Sequence, residues 1–223
     1  MKHKDEIQDK QSEQLENIKE SGGVVAKGAD HTIHCLSIVG QIEGHYILPE
    51  GQKSTKYEHL IPLLVSIEQD PEVDGLLILL NTMGGDVEAG LAIAEVIASM
   101  TKPTASVVLG GGHSIGVPLA VAAKRSFIVP SATMTIHPVR TSGVTLGVPQ
   151  AFDYLIKMQD RIINFIVGHS RVDEEKFKQM MTRTDQLVND IGSILCGREA
   201  VECGLIDEIG GIREALEYLK KQN

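Results

Sequence analysis

The stretch Gly75-Leu-Leu-Ile-Leu-Leu-Asn-Thr-Met-Gly-Gly-Asp86 decides the fold of this chain. Its unbroken apolar run, Gly75–Leu80, is typical of a strand that is buried on both faces of a sheet. The segment Asn81–Asp86 contains two adjacent glycines and predicts a tight turn. Apolar residues at helical spacing over Val87–Met100 then predict a helix. A buried strand, a turn and a helix are the first part of a βαβ unit, so we expect a parallel sheet.

The same order of elements returns along the chain. Apolar content and turn residues predict further strands at Ile33–Val39, Thr104–Leu109, Ser126–Val129, Thr133–His137 and Ser193–Cys196. Helical spacing predicts further helices at Tyr57–Glu68, Ser114–Ala123, Val148–Gly168, Asp173–Met181 and Gly211–Lys221, with a helical turn at Arg198–Cys203. We therefore predict an α/β protein that is built from βαβ units with a mainly parallel sheet.

The length of 223 residues suits one sizeable core, which we assign to residues 31–223 as a single domain. Residues 1–30 are rich in charges of both signs and predict a flexible N-terminal arm. Within them, Ser21–Gly28 has the composition of a linker. The first residues lack an apolar segment, so we expect no secretory signal.

Composition argues against several classes of partner. The formal net charge of −9 provides no basic excess to neutralise phosphates, so we expect no nucleic-acid partner. The longest apolar runs, Gly75–Leu80 and Val117–Ala123, fall short of the roughly 18 residues that a membrane span needs. The three cysteines are scattered, without zinc spacing, which indicates reduced thiols in a cytoplasmic protein without a metal or other cofactor.

Ser114 is the first candidate for chemistry. It lies in Gly110-Gly-Gly-His-Ser-Ile-Gly116, between a predicted strand and a predicted buried helix. Small residues allow the sharp turn that exposes a nucleophilic serine at such a junction. A serine that only caps the helix fits the same pattern, and this alternative stays open.

Two other features could act with Ser114. The segment Asn81–Gly85 ends the preceding strand, and parallel strands bring their carboxyl ends to one edge of a sheet. His137 ends the strand Thr133–His137, and a histidine can take a proton from a serine near neutral pH. A structural histidine is the alternative. The order of an α/β-hydrolase is disfavoured, because it expects a late histidine and none follows His169.

In combination, these motifs resemble the proteolytic subunit of the Clp protease family. The resemblance covers about residues 33–220 and is carried by Val39-Gly-Gln-Ile-Glu43, Asn81-Thr-Met-Gly-Gly85, Gly110-Gly-Gly-His-Ser-Ile-Gly116, Met134-Thr-Ile-His137 and Arg198-Glu-Ala-Val-Glu-Cys-Gly-Leu-Ile-Asp207. It implies a ClpP/crotonase-like fold with a protruding handle helix at Val148–Gly168.

The resemblance also implies a serine endopeptidase with a Ser-His-Asp triad. It assigns Ser114 as nucleophile and His137 as base, and it places the oxyanion hole at the backbone N–H groups of Gly85 and Ile115. The acid is harder to locate, because ungapped counting from the closing motif reaches Gly192. Asp190 is the nearest carboxylate and our first choice, with Asp185 as the alternative.

Further expectations concern partners. The resemblance implies peptide or unfolded-protein substrates and a homo-oligomeric ring, and it leaves an ATP-dependent unfoldase open because residues 1–30 do not resemble the family's gating loops. Met83 and the loop Tyr46–Tyr57 resemble instead the translocation-enhancing branch, which is linked to preprotein export or germination. A non-catalytic assembly protein and a crotonase-type acyl-CoA enzyme remain the alternatives.

Overall fold

The structure is a computed structural model that describes residues 22–28, 30–141, 147–185 and 191–222. The strands are β1 (Gly23–Lys27), β2 (Thr32–Glu43), β3 (Ser54–Lys56), β4 (Gly75–Gly85), β5 (Thr104–Gly112), β6 (Arg125–Ile128), β7 (Thr133–Ile136), β8 (Ser193–Cys196) and β9 (Glu208–Ile209). The helices are α1 (Tyr57–Gln69), α2 (Val87–Ser99), α3 (Gly116–Val121), α4 (Val148–Gly168), α5 (Glu174–Met181), α6 (Gly197–Glu202) and α7 (Ile212–Lys220).

The predicted parallel sheet is confirmed in its centre. The main path of the sheet runs β1-β2-β4-β5-β6-β9, and every neighbouring pair from β2 onward is parallel. At one side, β1 is antiparallel to β2. A short branch leaves the carboxyl end of β5, where β7 pairs with β5 and β8 pairs antiparallel with β7.

The apolar run in β4 is buried from both sides. Leu76, Ile78 and Leu80 belong to a core that α1 and α2 cover. Leu77 points into a second, smaller core with Leu219 of α7. Because helices cover both faces of the sheet, the strand carries no polar alternation, as a doubly covered parallel strand requires.

The long helix α4 has the predicted bounds, Val148–Gly168. Its buried side chains, Ile163, Phe165 and Ile166, all lie near its C-terminal end. Closer to the N-terminal end, the side chain of Phe152 is 62% exposed to solvent. The helix therefore packs on the domain through its end and leaves its earlier turns uncovered.

Some local predictions were wrong. The predicted linker Ser21–Gly28 contains β1, whose five residues pair with Thr32–Leu36 of β2. The predicted turns Asn81–Asp86 and Gly110–Gly112 continue β4 and β5 as extended chain. Glycine disfavours a strand in isolation, but neighbouring strands can supply the hydrogen bonds that keep these segments extended.

Residues 1–21 lie outside the described residues, so the flexible arm predicted for residues 1–30 stays a prediction. Residues 142–146, which precede α4, also lie outside the described residues. None of the helices within the described ranges is long and apolar enough to cross a membrane.

Candidate active site

The carboxyl ends of β4 and β5 meet at one edge of the sheet. Asn81 Oδ1 accepts a hydrogen bond of 2.9 Å from the backbone N–H of Gly111. A Cβ atom on Gly84 would lie 2.7 Å from Ser114 Cβ and 3.3 Å from Ile115 N. The two glycine-rich segments are therefore in direct contact, and only glycine at position 84 permits this approach.

Ser114 sits in a strained turn between β5 and α3. Its φ of 57° makes it the only non-glycine residue with positive φ in the described part of the chain. Such a conformation costs about 1–3 kcal/mol and persists only where the surroundings hold it. Here the N–H of Ser114 donates to Thr135 O at 2.9 Å, and the N–H of His113 donates to Thr82 O at 3.1 Å. Strained strand-to-helix turns of this kind expose the nucleophilic serine of α/β-hydrolases.

His137 follows β7 directly, so the pairing of β7 with β5 brings it to the same edge. Its Nδ1 lies 2.7 Å from the backbone oxygen of Pro138. A carbonyl oxygen only accepts hydrogen bonds, so Nδ1 carries the proton in this contact. In the neutral imidazole, Nε2 then holds a free lone pair and can accept a proton.

A cavity of about 290 Å³ brings four of the sequence-predicted residues together. Ser114, Ile115, His137 and Gly85 all line it. Much of its wall is apolar and is formed by Met83, Val87, Val117, Ile136, Ile162, Ile166, Phe177 and Met181. The cavity can therefore hold an apolar side chain close to a serine hydroxyl and an imidazole.

The two glycines of the Asn81–Gly85 segment have different surroundings. A Cβ atom on Gly85 would lie 2.2 Å from Ile42 O, so β2 requires this glycine. Gly84 is the one that touches Ser114 and Ile115, and sequence reasoning did not single it out. The adjacent pair of glycines was the signal in the sequence. Gly85 packs on the backbone of β2 and Gly84 packs on the turn of Ser114, so a side chain is excluded at both positions.

Of the two candidate acids, Asp190 lies outside the described residues. Asp185 is exposed, and its carboxylate accepts hydrogen bonds of 2.6 and 3.1 Å from Arg183. The hydrogen bonds from Arg183 hold the pKa of Asp185 below its usual value. In this arrangement the Asp185 carboxylate is engaged by Arg183, while His137 Nδ1 is engaged by Pro138.

Gly192, which ungapped counting places at the position of the predicted acid, lies against His137. Its φ is +138°, and a Cβ atom would lie 2.9 Å from His137 Cβ and 2.2 Å from Ile136 O. The N–H of Gly192 donates to Arg183 O at 2.7 Å. Arg183 and Gly192 are thus held together, and Gly192 lies beside His137.

The side chain of His113 contacts the strand that precedes His137. Its Nδ1 lies 2.9 Å from Thr135 Oγ1, on the strand that leads to His137. Burial, and to a smaller extent the charge of His137, lowers the pKa of His113.

Comparison with known proteins relates this chain to one protein family. The family model described as Clp protease matches residues 30–213. The chain is 57% identical to the translocation-enhancing protein TepA of Halalkalibacterium halodurans over 206 residues, which are 92% of this chain and 80% of that protein. It is 27% identical over 140 residues to the ATP-dependent Clp protease proteolytic subunit 1 of Chlamydia abortus, covering 60% of this chain and 69% of that one.

A solved structure of a ClpP1 variant from Listeria monocytogenes has the same fold. Its TM-score is 0.66 at 23% identity, over 82% of this chain and 94% of that one. The predicted ClpP-like fold is thus confirmed. The family model matches most of this chain, and the TepA relative matches nearly all of it. This chain therefore belongs to the Clp protease family.

Proposed function

We propose that this chain is a serine endopeptidase that cleaves peptides or unfolded proteins, with Ser114 as nucleophile and His137 as base. The observation that carries the proposal is the strained turn at Ser114, which faces the cavity that His137 also lines. A buried structural serine has no need of a conformation that costs about 1–3 kcal/mol. An exposed nucleophile does, because the sharp turn frees its hydroxyl from the helix that follows.

The reaction follows from the proton positions at His137. Since Nδ1–H binds a carbonyl, Nε2 takes the proton of Ser114 Oγ while Oγ attacks the peptide carbonyl carbon. The N–H groups of Gly85 and Ile115 stabilise the negative oxygen of the tetrahedral intermediate. The imidazolium gives its proton to the leaving amine, and an acyl-enzyme forms. Water, activated by the same imidazole, then releases the acid.

Asp190 completes the triad in this proposal. Its support is its position in the chain, two residues before Gly192, which packs on His137. A carboxylate in place of the Pro138 carbonyl would hold the same Nδ1 proton and stabilise the imidazolium as it forms. Asp185 is the alternative. To act as the acid, its carboxylate would have to give up the hydrogen bond from Arg183 and accept one from His137 Nδ1.

Fluorophosphonate labelling tests the proposal. We expect the probe to modify Ser114, and we expect Ser114→Ala to abolish both labelling and peptide cleavage. Ser99→Ala is the matched control, because Ser99 is a serine on α2 whose hydroxyl binds the backbone oxygen of Val96, away from the cavity lining. Normal cleavage by Ser114→Ala would refute the assignment. A folded wild-type protein that neither labels nor cleaves would favour the non-catalytic assembly role.

The proposal extends to partners and location. We propose a homo-oligomer, because the early turns of α4 expose apolar side chains to solvent. The free thiols of Cys35, Cys196 and Cys203 support a cytoplasmic location, where cysteines stay reduced. The similarity to TepA supports a link to preprotein translocation.

A further inference from the structure

A second imidazole lies next to the nucleophile, and the mechanism above does not use it. His113 precedes Ser114, and its Nδ1 is 2.9 Å from Thr135 Oγ1. The backbone oxygen of the same threonine accepts the N–H of Ser114 at 2.9 Å. Thr135 therefore binds two consecutive residues of the nucleophile turn, one through its side chain and one through its backbone.

We propose that His113 is a positioning residue, whose hydrogen bond to Thr135 ties the turn of Ser114 to the strand that leads to His137. The inference rests on the proposed function, since it concerns how the nucleophile and the base are held in register. It adds a residue to the site that touches neither substrate nor the transferred proton.

The half-buried side of β7 carries the contact with His113. Met134 and Ile136 point into the core, while Thr135 is only half-buried and faces the other way. His137 follows Thr135 by two residues, so His113 contacts β7 close to the residue proposed as base. Consistent with this, the charge of His137 contributes to the lowered pKa of His113.

The glycines at the end of β5 make room for the ring. A Cβ atom on Gly111 would lie 2.6 Å from His113 Nε2 and 2.7 Å from its Cδ2, so the imidazole packs directly on the Gly111 backbone. Burial, with a smaller contribution from the charge of His137, keeps the pKa of His113 below its ordinary value. The ring is therefore neutral near pH 7, and it can hold Thr135 without placing a second positive charge beside the base.

The strain at Ser114 gives this bond its importance. A non-glycine residue with a φ of 57° relaxes unless its neighbours fix it. Loss of the His113–Thr135 bond would leave the backbone contacts of Ser114 in place but loosen the turn relative to His137. Small displacements of a nucleophile from its base reduce the rate of the chemical step more than they weaken substrate binding.

Variants at both partners test the inference in the full-length protein. Thr135→Val removes the hydroxyl and keeps the β-branched shape, while Thr135→Ser keeps the hydroxyl. His113→Ala removes the other partner, and His59→Ala replaces an exposed histidine on α1 as a control. The measurements are kcat and KM for a fluorogenic peptide and the rate of fluorophosphonate labelling, with thermal unfolding to verify the fold.

We expect His113→Ala and Thr135→Val each to lower kcat and the labelling rate about tenfold, the size of one lost hydrogen bond, with KM nearly unchanged. Thr135→Ser should recover most of the rate. The double variant should be no slower than the slower single variant, because both remove one bond.

The inference is overturned if Thr135→Val reacts at the wild-type rate, if Thr135→Ser is as slow as Thr135→Val, or if the two losses add. If His113→Ala does not fold, the two Thr135 variants still decide. Wild-type protein that fails to label overturns the proposed function and this inference together. Normal wild-type labelling with an unaffected Thr135→Val overturns the inference alone.

Discussion

At the scale of single residues, the proposed role of His137 as a base depends on which group accepts the hydrogen bond from its Nδ1. In the structure this is the backbone oxygen of Pro138 at 2.7 Å. A carbonyl fixes the tautomer as a carboxylate does, but it carries no full charge to stabilise the imidazolium. Gly192 packs against His137, since a Cβ atom there would lie 2.9 Å from His137 Cβ, and Asp190 precedes Gly192 by two residues in the chain.

This leads to a prediction for the acid. Asp190→Asn should lower kcat by up to about 10⁴-fold with little change in KM, because an amide fails to stabilise the imidazolium. Asp185→Asn is the matched control, a change of the same type in the same segment, and should leave kcat within a few-fold of wild type. The measurement is steady-state peptide cleavage. The reverse pattern would move the role to Asp185, and no effect from either change would leave Pro138 as the sole support of the base.

At the scale of elements, α4 combines a packed end with an uncovered beginning. Its contacts with the domain come from Ile163, Phe165 and Ile166. Near its beginning, three apolar or aromatic side chains are largely exposed to solvent: Val148 at 70%, Phe152 at 62% and Tyr154 at 56%. Apolar side chains grouped on one helix are a frequent mark of a protein interface.

We therefore predict that Phe152→Glu weakens self-association without unfolding the domain, because the side chain is exposed in the single chain and a charge is costly in an apolar interface. Gln150→Glu is the matched control, since it adds the same single charge at an exposed position on α4. Sedimentation velocity should show smaller particles for Phe152→Glu and wild-type particles for Gln150→Glu. Equal particle sizes in all three proteins would remove this helix from the interface.

At the scale of the whole molecule, one buried histidine makes stability depend on pH. His34 lies on β2 with 8% exposure, and its Nε2 has no hydrogen-bond partner among the described residues. Burial lowers the pKa of His34, and the nearby Asp70 opposes this effect only in part. The folded protein therefore holds this imidazole in its neutral form near pH 7.

The sign of the effect follows from linkage. As the pH falls through about 6.5, His34 binds a proton in the unfolded chain, whereas the folded protein binds this proton only at a lower pH. The stability contributed by neutral His34 is thus present above that pH, and it is lost as the pH falls toward the lower pKa of the folded state. We predict that His34→Leu makes the free energy of unfolding less sensitive to pH between 7.5 and about 5.

Urea unfolding at several pH values measures this slope. His59→Ala, at an exposed position on α1, should retain the wild-type slope. If His34→Leu also retained it, the acid sensitivity would arise elsewhere in the molecule.

Local pattern was sufficient for much of the fold. The bounds of α4 and β8 agree with their predictions, because apolar periodicity and turn residues act over short distances. The order of the elements indicated the parallel sheet, and the motifs around Ser114 and His137 indicated the family.

The remaining features of the fold and the site arise from contacts between residues far apart in the chain. The extended course of the glycine segments, the strand hidden in the predicted linker, and the contact of Gly84 with Ser114 all depend on partner backbones that a local pattern does not contain. The bond between His113 and Thr135, which are 22 residues apart, is of the same kind. Sequence determined which residue types stand at each strand end, and packing determined which of them meet, because side-chain direction in a strained turn is set by what surrounds it.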